Sequence, residues 1–479
     1  MIRTGEQYRD SIRDGRRVWI NGERVQDVTR HPMFRPAIDV RASWYDMQHD
    51  AKHRATLVTE TEKFGPVSKV LSMPYTKEDW HEKRAAVELM FGAAGGFITR
   101  YGDPGELWAL HDGEKVIADL VPEYVQNVRR HIDRVIEQDL FTASANTDPK
   151  GDRSKRPQDQ DPDMLLRVVK ETDAGIIVRG AKYETAAAYA NQAFTKPTIA
   201  NWGDSELSDY AVGFMCNLSA PNLRFICRTG FAGNGSPEDY PLSSRFDEVD
   251  ALIVFDDVLI PWEDVFFCRQ TNAATYIRST LHRYVVFTFV MRAMKIADML
   301  IGASLLNVRQ TGLEKQPAVQ EKLAHMAVYR EGINAYLTAA IASAERSPGG
   351  LMMPAQSFMM TGRVFAVMNL HEIVHIAREL CGGQVCITPD IAAFRDPETA
   401  PWLEKYYTIN ESWQAEDRRK LLAYARDLIN SDFAGHQLSF NLFSHSPPYA
   451  LLGAVYRNFP WSEPVDFVRK SAGLSDRVK

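Results

Sequence analysis

The chain has 479 residues, of which 45% are hydrophobic and 25% are charged, values typical of a globular protein with two or three packed units. Its formal net charge is −6, from 56 lysines and arginines against 62 aspartates and glutamates, so we expect no nucleic-acid binding. The best candidate for a membrane span, residues 284–306, contains Arg292, Lys295 and Asp298, which predicts a buried helix and no membrane contact.

The N-terminus and the cysteines indicate the cellular compartment. Residues 1–19 contain no apolar run of the kind found in secretory signals. Five cysteines in a chain of this length are typical of a reducing compartment and not of a disulfide framework. The sequence therefore predicts a cytoplasmic protein.

The first part of the chain is predicted to be mainly helical. Thr4 stands at a position typical of a helix cap, and residues 78–95 and 121–140 carry apolar side chains at three- and four-residue spacing. Asn21–Gly22 lies between β-forming residues, which predicts a tight hairpin.

The middle of the chain has the pattern of short strands. Residues 164–184 predict two strands joined by a turn, and residues 209–228 predict a second hairpin with its turn at 219–222. Residues 250–267 predict a further pair of strands. We therefore expect a central antiparallel sheet or barrel.

The last part of the chain is helical again. Four long segments predict the helices of a bundle, at residues 278–309, 317–345, 356–382 and 411–433. The fold class is therefore α+β, with an N-terminal helical domain, a central β domain and a C-terminal four-helix bundle. We place these domains at residues 1–145, 146–272 and 273–479.

Two short motifs are candidates for a metal site and a phosphate site. His371 and His375 form the HExxH pattern of helical zinc sites, but no third ligand stands out, and we favour two histidines that are packed or hydrogen-bonded within a bundle helix. The glycine-rich residues 230–235 lie between β-forming runs, which favours a loop over a phosphate cradle. We expect no bound metal.

Several longer motifs follow one another in an order that periodicity does not dictate. They lie at residues 4–36, 148–162, 171–182, 236–248, 255–266 and 432–437. With these motifs the chain resembles, over nearly its whole length, the oxygenase component of the 4-hydroxyphenylacetate 3-hydroxylase family. Members of this family are two-component monooxygenases that depend on reduced flavin.

The resemblance implies an acyl-CoA-dehydrogenase-like fold and a homotetramer, a dimer of dimers packed through the bundle and a C-terminal tail. It implies FAD as FADH2, with FMN less favoured, delivered by a separate NAD(P)H-dependent flavin reductase. The reduced flavin reacts with O2 to a C4a-hydroperoxyflavin, which hydroxylates an aromatic or heteroaromatic ring. Such chemistry needs exclusion of water and a hydrogen-bond acceptor near the substrate's ionising group.

The catalytic residues that the resemblance implies are only partly retained. Arg100 and Asp103 match the substrate loop of the family, but Pro104 stands at its tyrosine position, and Tyr101 is the candidate for a displaced phenol. Ser144 stands at the position of the family's active-site histidine. Because serine does not ionise near neutral pH, it cannot be the same base. We therefore expect a substrate other than a simple 4-hydroxyphenyl compound, such as an electron-rich heteroaromatic or an amine.

The cofactor residues that the resemblance implies come from several segments. Thr185 follows the second strand of the first hairpin, and Arg292 on a bundle helix is open to two interpretations, a phosphate contact or a structural ion pair. The other candidates are Lys150, Gly151, Asp152, Arg153, Gly382, Gly383, Gly435 and His436.

Two alternatives remain open at this point. A flavin-dependent dehydratase or dehydrogenase could share the fold, although the dehydratase acting on 4-hydroxybutyryl-CoA needs cysteines in the N-terminal zone to hold an iron–sulfur cluster. This chain has no cysteine before Cys216. A catalytically impaired flavin-binding homologue is the second alternative, because Ser144 and Pro104 depart from the family pattern.

Overall fold

The computed structural model describes residues 2–97, 104–152, 154–197, 205–444, 446 and 448–474. Four of the predicted site residues, Arg100, Tyr101, Asp103 and Arg153, lie outside the described residues.

The N-terminal part is mainly helical, as predicted. The Thr4 side chain caps the first helix in a capping box with Gln7, and Thr76 caps the fourth in the same way with Asp79. The helices are α1 (Gly5–Ser11), α2 (Arg35–Met47), α3 (Ala51–Leu57), α4 (Lys77–Ala93), α5 (Pro104–Leu120) and α6 (Val125–Gln138). The strands are β1 (Val18–Ile20), β2 (Glu23–Val25), β3 (Val58–Thr61), β4 (Gly65–Ser68) and β5 (Thr142–Ala145).

The central part forms two sheets with the help of strands from the first part. Its strands are β6 (Arg167–Thr172), β7 (Gly175–Thr185), β8 (Gln192–Thr195), β9 (Gly213–Asn217), β10 (Leu223–Cys227), β11 (Asp250–Pro261) and β12 (Val265–Phe267), and its one described α-helix is α7 (Ser243–Phe246). Among the described residues, one sheet has the order β2-β1-β10-β11-β7-β6 and the other the order β12-β9-β8-β5. Pairing is antiparallel except between β1 and β10 and between β5 and β8, which are parallel.

Two of the predicted hairpins are confirmed. Asn21 and Gly22 both have positive φ, of 50° and 78°, and connect β1 to its antiparallel neighbour β2. The strands β6 and β7 are antiparallel neighbours, with Thr172 opposite Gly175.

The other two predicted strand pairs are wrong. The turn at 219–222 exists, but β9 and β10 on either side of it belong to different sheets, so the chain crosses from one sheet to the other there. Residues 250–267 do contain two strands, β11 and β12, but the two do not pair with each other, and a bulge after Phe255, with Asp257 at φ 56°, lets β11 continue along β7. The short β12 then joins the other sheet.

The C-terminal part is helical, and the four predicted bundle helices are confirmed as α8 (Thr271–Gln310), α9 (Pro317–Ala342), α10 (Gln356–Cys381) and α14 (Ala415–Ile429), which pack on one another. Two short strands, β13 (Glu345–Arg346) and β14 (Met352–Met353), lie between α9 and α10. The remaining helices are α11 (Gln384–Ile387), α12 (Ile391–Arg395), α13 (Ala400–Tyr407), α15 (Asp432–Ser444), α16 (Pro448–Asn458) and α17 (Ser462–Ala472). Within the described part of the chain, no helix has both the length and the hydropathy that a membrane crossing needs.

A buried carboxylate joins the bundle to the central part. Asp427 on α14 is fully buried, and its Oδ2 accepts hydrogen bonds from the backbone N–H of Leu242, at 2.7 Å, and of Ser243, at 2.8 Å. The Ser243 hydroxyl donates to the other carboxylate oxygen. Three donors of the segment before β11 thus depend on one side chain of the bundle.

We expect Asp427→Ala to lower the free energy of unfolding by about 3 kcal/mol, because it leaves buried donors without an acceptor. Denaturant unfolding followed by tryptophan fluorescence measures the change. Asp417→Ala, on the exposed face of the same helix, is the matched control and should change stability by less than about 0.5 kcal/mol. Equal effects of the two substitutions would contradict this role of Asp427.

Candidate flavin and substrate site

Ser144 is part of a buried polar cluster with an acidic residue that the sequence did not single out. Its hydroxyl donates to Oε1 of Glu106, and the Asn146 side-chain amide donates to the same oxygen at 3.1 Å. Ser144 is 3% exposed and Glu106 2% exposed. The structure therefore places a carboxylate directly beside the serine that stands at the family's histidine position.

The position of this cluster follows from two elements. Ser144 lies in β5, which pairs with β8, and Glu106 lies in the first turn of α5. α5 follows directly on the predicted substrate loop with Arg100 and Asp103. Glu106 could not be recognised from the sequence, because an acidic residue in the first turn of a helix is common for reasons of the helix dipole alone.

A buried ion pair between Lys182 and Asp148 holds the start of the predicted flavin loop against β7. Lys182 on β7 donates to Oδ1 of Asp148 at 2.5 Å and to the backbone carbonyl of Lys196 at 3.0 Å. Burial lowers the pKa of the Lys182 ammonium, and the Asp148 carboxylate opposes this shift. The pair fixes the start of the loop against the sheet and leaves the residues beyond it at the surface.

Lys150, Gly151 and Asp152 are exposed at the tip of that loop. Gly151 has a φ of +54°, and a Cβ there would lie 2.5 Å from the Gln160 side-chain oxygen, so the position requires glycine. The Asp152 N–H donates to the same Gln160 oxygen at 2.7 Å, and hydrogen bonds from Ser154 lower the pKa of the Asp152 carboxyl. The loop thus has a defined shape with polar groups directed to solvent.

Thr185 and His436, two other predicted cofactor residues, both contact the carboxylate of Asp250. Thr185 donates to Asp250 Oδ1 at 2.6 Å, and His436 Nε2 lies 3.4 Å from Asp250 Oδ2. Arg228 donates to the same Oδ2 at 2.7 Å and to Asp247 at 2.6 Å. The cluster joins β7, β11, α15 and the residue that follows β10, and neither Arg228 nor Asp250 was predicted, because their roles depend on contacts between distant segments.

Arg292 is fully buried in the bundle. Its guanidinium donates to the Ser444 hydroxyl at 2.7 Å and lies 5.0 Å from the centre of the Phe440 ring. Gly382 and Gly383 lie elsewhere, after the C-terminal end of α10, about 24 Å along the helix axis from Ala366, which lines a cavity together with Ala293 next to Arg292. The structure of one chain therefore does not bring these two groups of predicted cofactor residues together.

The glycines themselves leave open space. Apart from the adjacent backbone, no atom of the described residues lies within 4 Å of the position that a Cβ would take at Gly382, Gly383 or Gly435. Gly382 also has a φ of 70°, a conformation that L side chains rarely adopt. A ligand can approach the backbone closely at these three positions.

The HExxH pattern has no metal-site geometry. His371 and His375 are exposed on α10, and His375 Nε2 lies 3.2 Å from Glu379 of the same helix. Among the residues that the structure describes, no group of three or more histidines, cysteines and acids could hold a metal ion.

Comparison with known proteins now decides the family. A model of the N-terminal part of 4-hydroxyphenylacetate 3-hydroxylase matches residues 4–267, and a model of its C-terminal part matches residues 271–473. The chain belongs to the 4-hydroxyphenylacetate 3-hydroxylase family. The resemblance read from the sequence is confirmed.

Among its relatives is the 4-hydroxyphenylacetate 3-monooxygenase oxygenase component of Thermus thermophilus, which is 32% identical over 493 aligned residues that cover all of both chains. A crystal structure of an oxygenase component of 4-hydroxyphenylacetate 3-monooxygenase, complexed with FAD and 4-hydroxyphenylacetate, is 29% identical. It has a TM-score of 0.91 and covers 98% of this chain and 99% of its own. The predicted fold is confirmed.

A 4-hydroxybutyryl-CoA dehydratase from N. maritimus has a TM-score of 0.92, covering 100% of this chain and 96% of its own, but is only 24% identical. This likeness shows a shared fold and nothing about the reaction.

The His436 cluster predicts a pH dependence of stability. Burial, with Arg228 nearby, lowers the pKa of His436 below its usual value of 6.5. Below that pH the unfolded chain takes up a proton that the folded chain does not, so stability falls as the pH decreases. We expect His436→Gln to flatten the loss of stability between about pH 6.5 and 5 relative to the wild type.

Thermal unfolding of flavin-free protein across this pH range measures the effect. His325→Gln, on the exposed surface of α9, should leave the wild-type slope unchanged. An unaltered slope in His436→Gln would contradict a half-buried His436 whose pKa is lowered.

Proposed function

We propose that the chain is the oxygenase component of a two-component flavin-dependent monooxygenase. It takes FADH2 from a separate NAD(P)H-dependent reductase and, with O2, hydroxylates a small aromatic or heteroaromatic compound. The observation that carries the proposal is the match along the whole chain to an oxygenase component whose crystal structure holds FAD and an aromatic substrate. The dehydratase alternative has only the shared fold in its support.

The described residues fit a flavin nucleotide. An extended, anionic ligand needs backbone that it can approach and cationic groups to face its phosphates, and the chain offers open glycines at 382, 383 and 435 and buried Arg292. Lys150, Gly151 and Asp152, followed by Arg153, and the Thr185–His436 cluster are the other groups that would hold it. We favour FAD over FMN, since the structural relative binds FAD. When bound, reduced flavin supplies the electrons with which O2 is activated for transfer of one oxygen atom to the ring.

The cluster of Ser144, Glu106 and Asn146 is proposed to handle the substrate's proton. The Ser144 hydroxyl donates its hydrogen to Glu106 and accepts a hydrogen bond from the Asn146 amide, so its oxygen has one further lone pair to accept an N–H or O–H of the substrate. As the ring gives electron density to the incoming oxygen, its N–H or O–H becomes more acidic, and that hydrogen can shift toward Ser144 while the serine hydrogen shifts toward the carboxylate. Asn146 holds Oε1 of Glu106 in place from the side.

The substrate class follows from the charge of this cluster. A buried carboxylate repels a second anion and favours a neutral hydrogen-bond donor or a cation. We therefore propose an electron-rich heteroaromatic with a ring N–H, or an aromatic amine, oriented with its donor toward Ser144. Arg100 and Asp103, with Tyr101 as the displaced phenol, are the other residues that we propose contact the substrate.

The direct test is turnover with FADH2, O2 and a panel of indoles, pyrroles, anilines and phenols. Hydroxylated product from at least one N–H compound is the expected result. Hydrogen peroxide alone from every compound would support the impaired homologue and contradict the proposal.

Substitution at Glu106 tests the proton-handling role. We expect Glu106→Gln to lower kcat/KM for hydroxylation about 100-fold, since the proton acceptor is removed, and to raise the fraction of O2 released as hydrogen peroxide. Its affinity for oxidised FAD, measured by fluorescence, should stay unchanged.

Ser144→Ala should show a similar loss of hydroxylation, because the link between substrate and carboxylate is broken. Glu114→Gln on the same helix, where Glu114 pairs with Arg129 at the surface, is the matched control and should keep wild-type kinetics. Full hydroxylation in Glu106→Gln would show that the carboxylate plays no part in the proton transfer.

A homotetramer is proposed from the resemblance and from the surface of the tail. α16 and α17 carry large apolar side chains that solvent contacts in the single chain, among them Tyr449 (76% exposed), Tyr456 (68%) and Phe467 (74%). Apolar surface of this extent is typical of an interface between subunits.

None of the five cysteines forms a disulfide, which supports the proposed cytoplasmic location.

Light scattering after size exclusion tests the assembly. We expect a tetramer for the wild type and a smaller species for Phe467→Glu, because a charge at an apolar interface opposes association. Ile226→Glu, at a half-exposed position of the central sheet, should remain tetrameric. A monomeric wild type would contradict the tetramer.

A further inference from the structure

The side-chain amide of Asn146 is held in one orientation by Ser144 and Glu106. Its nitrogen Nδ2 donates to Oε1 of Glu106 at 3.1 Å and to the hydroxyl oxygen of Ser144. The reverse orientation would bring the amide oxygen against a carboxylate oxygen, and an ionised carboxylate accepts hydrogen bonds but donates none. The position of the amide oxygen, Oδ1, is therefore fixed together with that of the nitrogen.

The backbone of Asn146 is held as well. Its N–H donates to the Ser144 carbonyl at 2.9 Å, and its own carbonyl accepts a hydrogen bond from Lys182 Nζ at 3.4 Å. The carbonyl of the next residue, Thr147, accepts from the N–H of Tyr183 at 2.7 Å. Because the segment after β5 is bound to β7 in this way, Asn146 has little freedom to turn its oxygen away from the cluster.

Oδ1 of Asn146 is buried and accepts no hydrogen bond from any described residue. A buried acceptor normally has a partner, because its lost contact with water is otherwise uncompensated. Buried side-chain amide oxygens of Gln192 and Asn441 also accept no hydrogen bond within the described part of the chain, so this observation alone does not define a site. Asn146 differs from them by its contacts with the two residues that we propose to handle the substrate's proton.

Ser144 and Asn146 together offer two acceptors next to each other. The Ser144 oxygen, which accepts from the Asn146 amide, has one further lone pair. Only the amide group connects this oxygen with Oδ1, so one small group can reach both. A primary amino group has two N–H donors, whereas a ring N–H or a phenol has one donor and a phenolate has none. The pair of acceptors therefore matches a primary amino group.

We propose that Asn146 is a specificity-determining residue, whose Oδ1 accepts one hydrogen of the substrate's amino group while the Ser144 oxygen accepts the other. The substrate is accordingly a primary aromatic amine, which narrows the class given above. This inference rests on the proposed function, because that function brings the substrate to Ser144. A neutral amino group also suits the adjacent Glu106, since a buried carboxylate repels anions.

Aniline, N-methylaniline and N,N-dimethylaniline test this choice, since they carry two, one and no N–H. Calorimetry on protein loaded with oxidised FAD measures their binding, and turnover with FADH2 and O2 gives kcat/KM for hydroxylation. We expect each lost N–H to weaken binding and to lower kcat/KM about 10-fold, because a buried acceptor is left without a partner. Equal affinity for aniline and N-methylaniline, or no binding of aniline, would overturn the proposal.

Asn146→Leu separates hydrogen bonding from the bulk of the methyl group. Leucine has nearly the shape of asparagine but no oxygen, so the affinities of the variant for aniline and N-methylaniline should agree within about twofold. If shape alone excluded the methyl group, Asn146→Leu would keep the wild-type preference, and the proposal would fail. A role limited to holding Glu106 would lower hydroxylation of every aniline by the same factor and leave the preference unchanged, which would also overturn it.

Asn430→Leu, the same change at the exposed end of α14, is the control and should keep the wild-type preference. Thermal unfolding shows whether Asn146→Leu is folded. Asn146→Ala, which also lacks the amide oxygen but adds no apolar bulk, takes its place if leucine is not accommodated, and the same loss of preference is expected.

The outcomes also separate this proposal from the oxygenase function. Hydroxylation of aromatic compounds without preference for a primary amine would overturn the role of Asn146 and leave the oxygenase function intact. Binding of aniline that is preferred and depends on Asn146, with hydrogen peroxide as the only product, would support the role of Asn146 and contradict the oxygenase.

Discussion

The pairing of β7 with β11 is the constraint on which the candidate site depends. These strands are in register from Gly175 opposite Pro261 to Thr185 opposite Asp250, with a bulge after Phe255 that allows them to stay together over their full length. Because Thr185 and Asp250 are direct partners, the register alone creates their hydrogen bond and presents the second oxygen of Asp250 to Arg228. A shift of the strand register by one residue would turn both side chains to the other face of the sheet and break their contacts with Arg228 and His436.

The buried charges of the molecule divide into two kinds. On the sheet side they are paired, as Lys182 is with Asp148 and Arg228 with Asp247, and such pairs hold the loop and the strands in fixed positions. In the bundle, Arg363 has no acid beside it within the described part of the chain. Charge that is balanced within the protein thus fixes the position of the elements that it joins.

Local structure could be predicted from the sequence where short-range chemistry decides it. Asn21–Gly22 requires the positive φ values of a hairpin, and the bundle helices follow from apolar spacing. The second hairpin failed because the turn at 219–222 shows that the chain changes direction but not which sheet each strand joins, and that choice depends on distant partners. The same limit applies to the site, where resemblance pointed to Thr185 and His436 but not to Asp250, which connects them.

The effect of serine at residue 144 can be understood only together with its neighbour Glu106. Taken alone, serine at residue 144 removes a titratable group from the position of the family's histidine. In the structure, the Ser144 hydroxyl donates to the carboxylate of Glu106, which lies 38 positions earlier in the chain. A proton acceptor is therefore still present, one hydroxyl group further away. Such a pair accepts a hydrogen bond as a histidine does, but it carries negative charge where a protonated histidine would carry positive charge. For the proposed function we expect a consequence for specificity: a site with a negatively charged Glu106 would disfavour anionic phenolates and favour rings whose own N–H can donate.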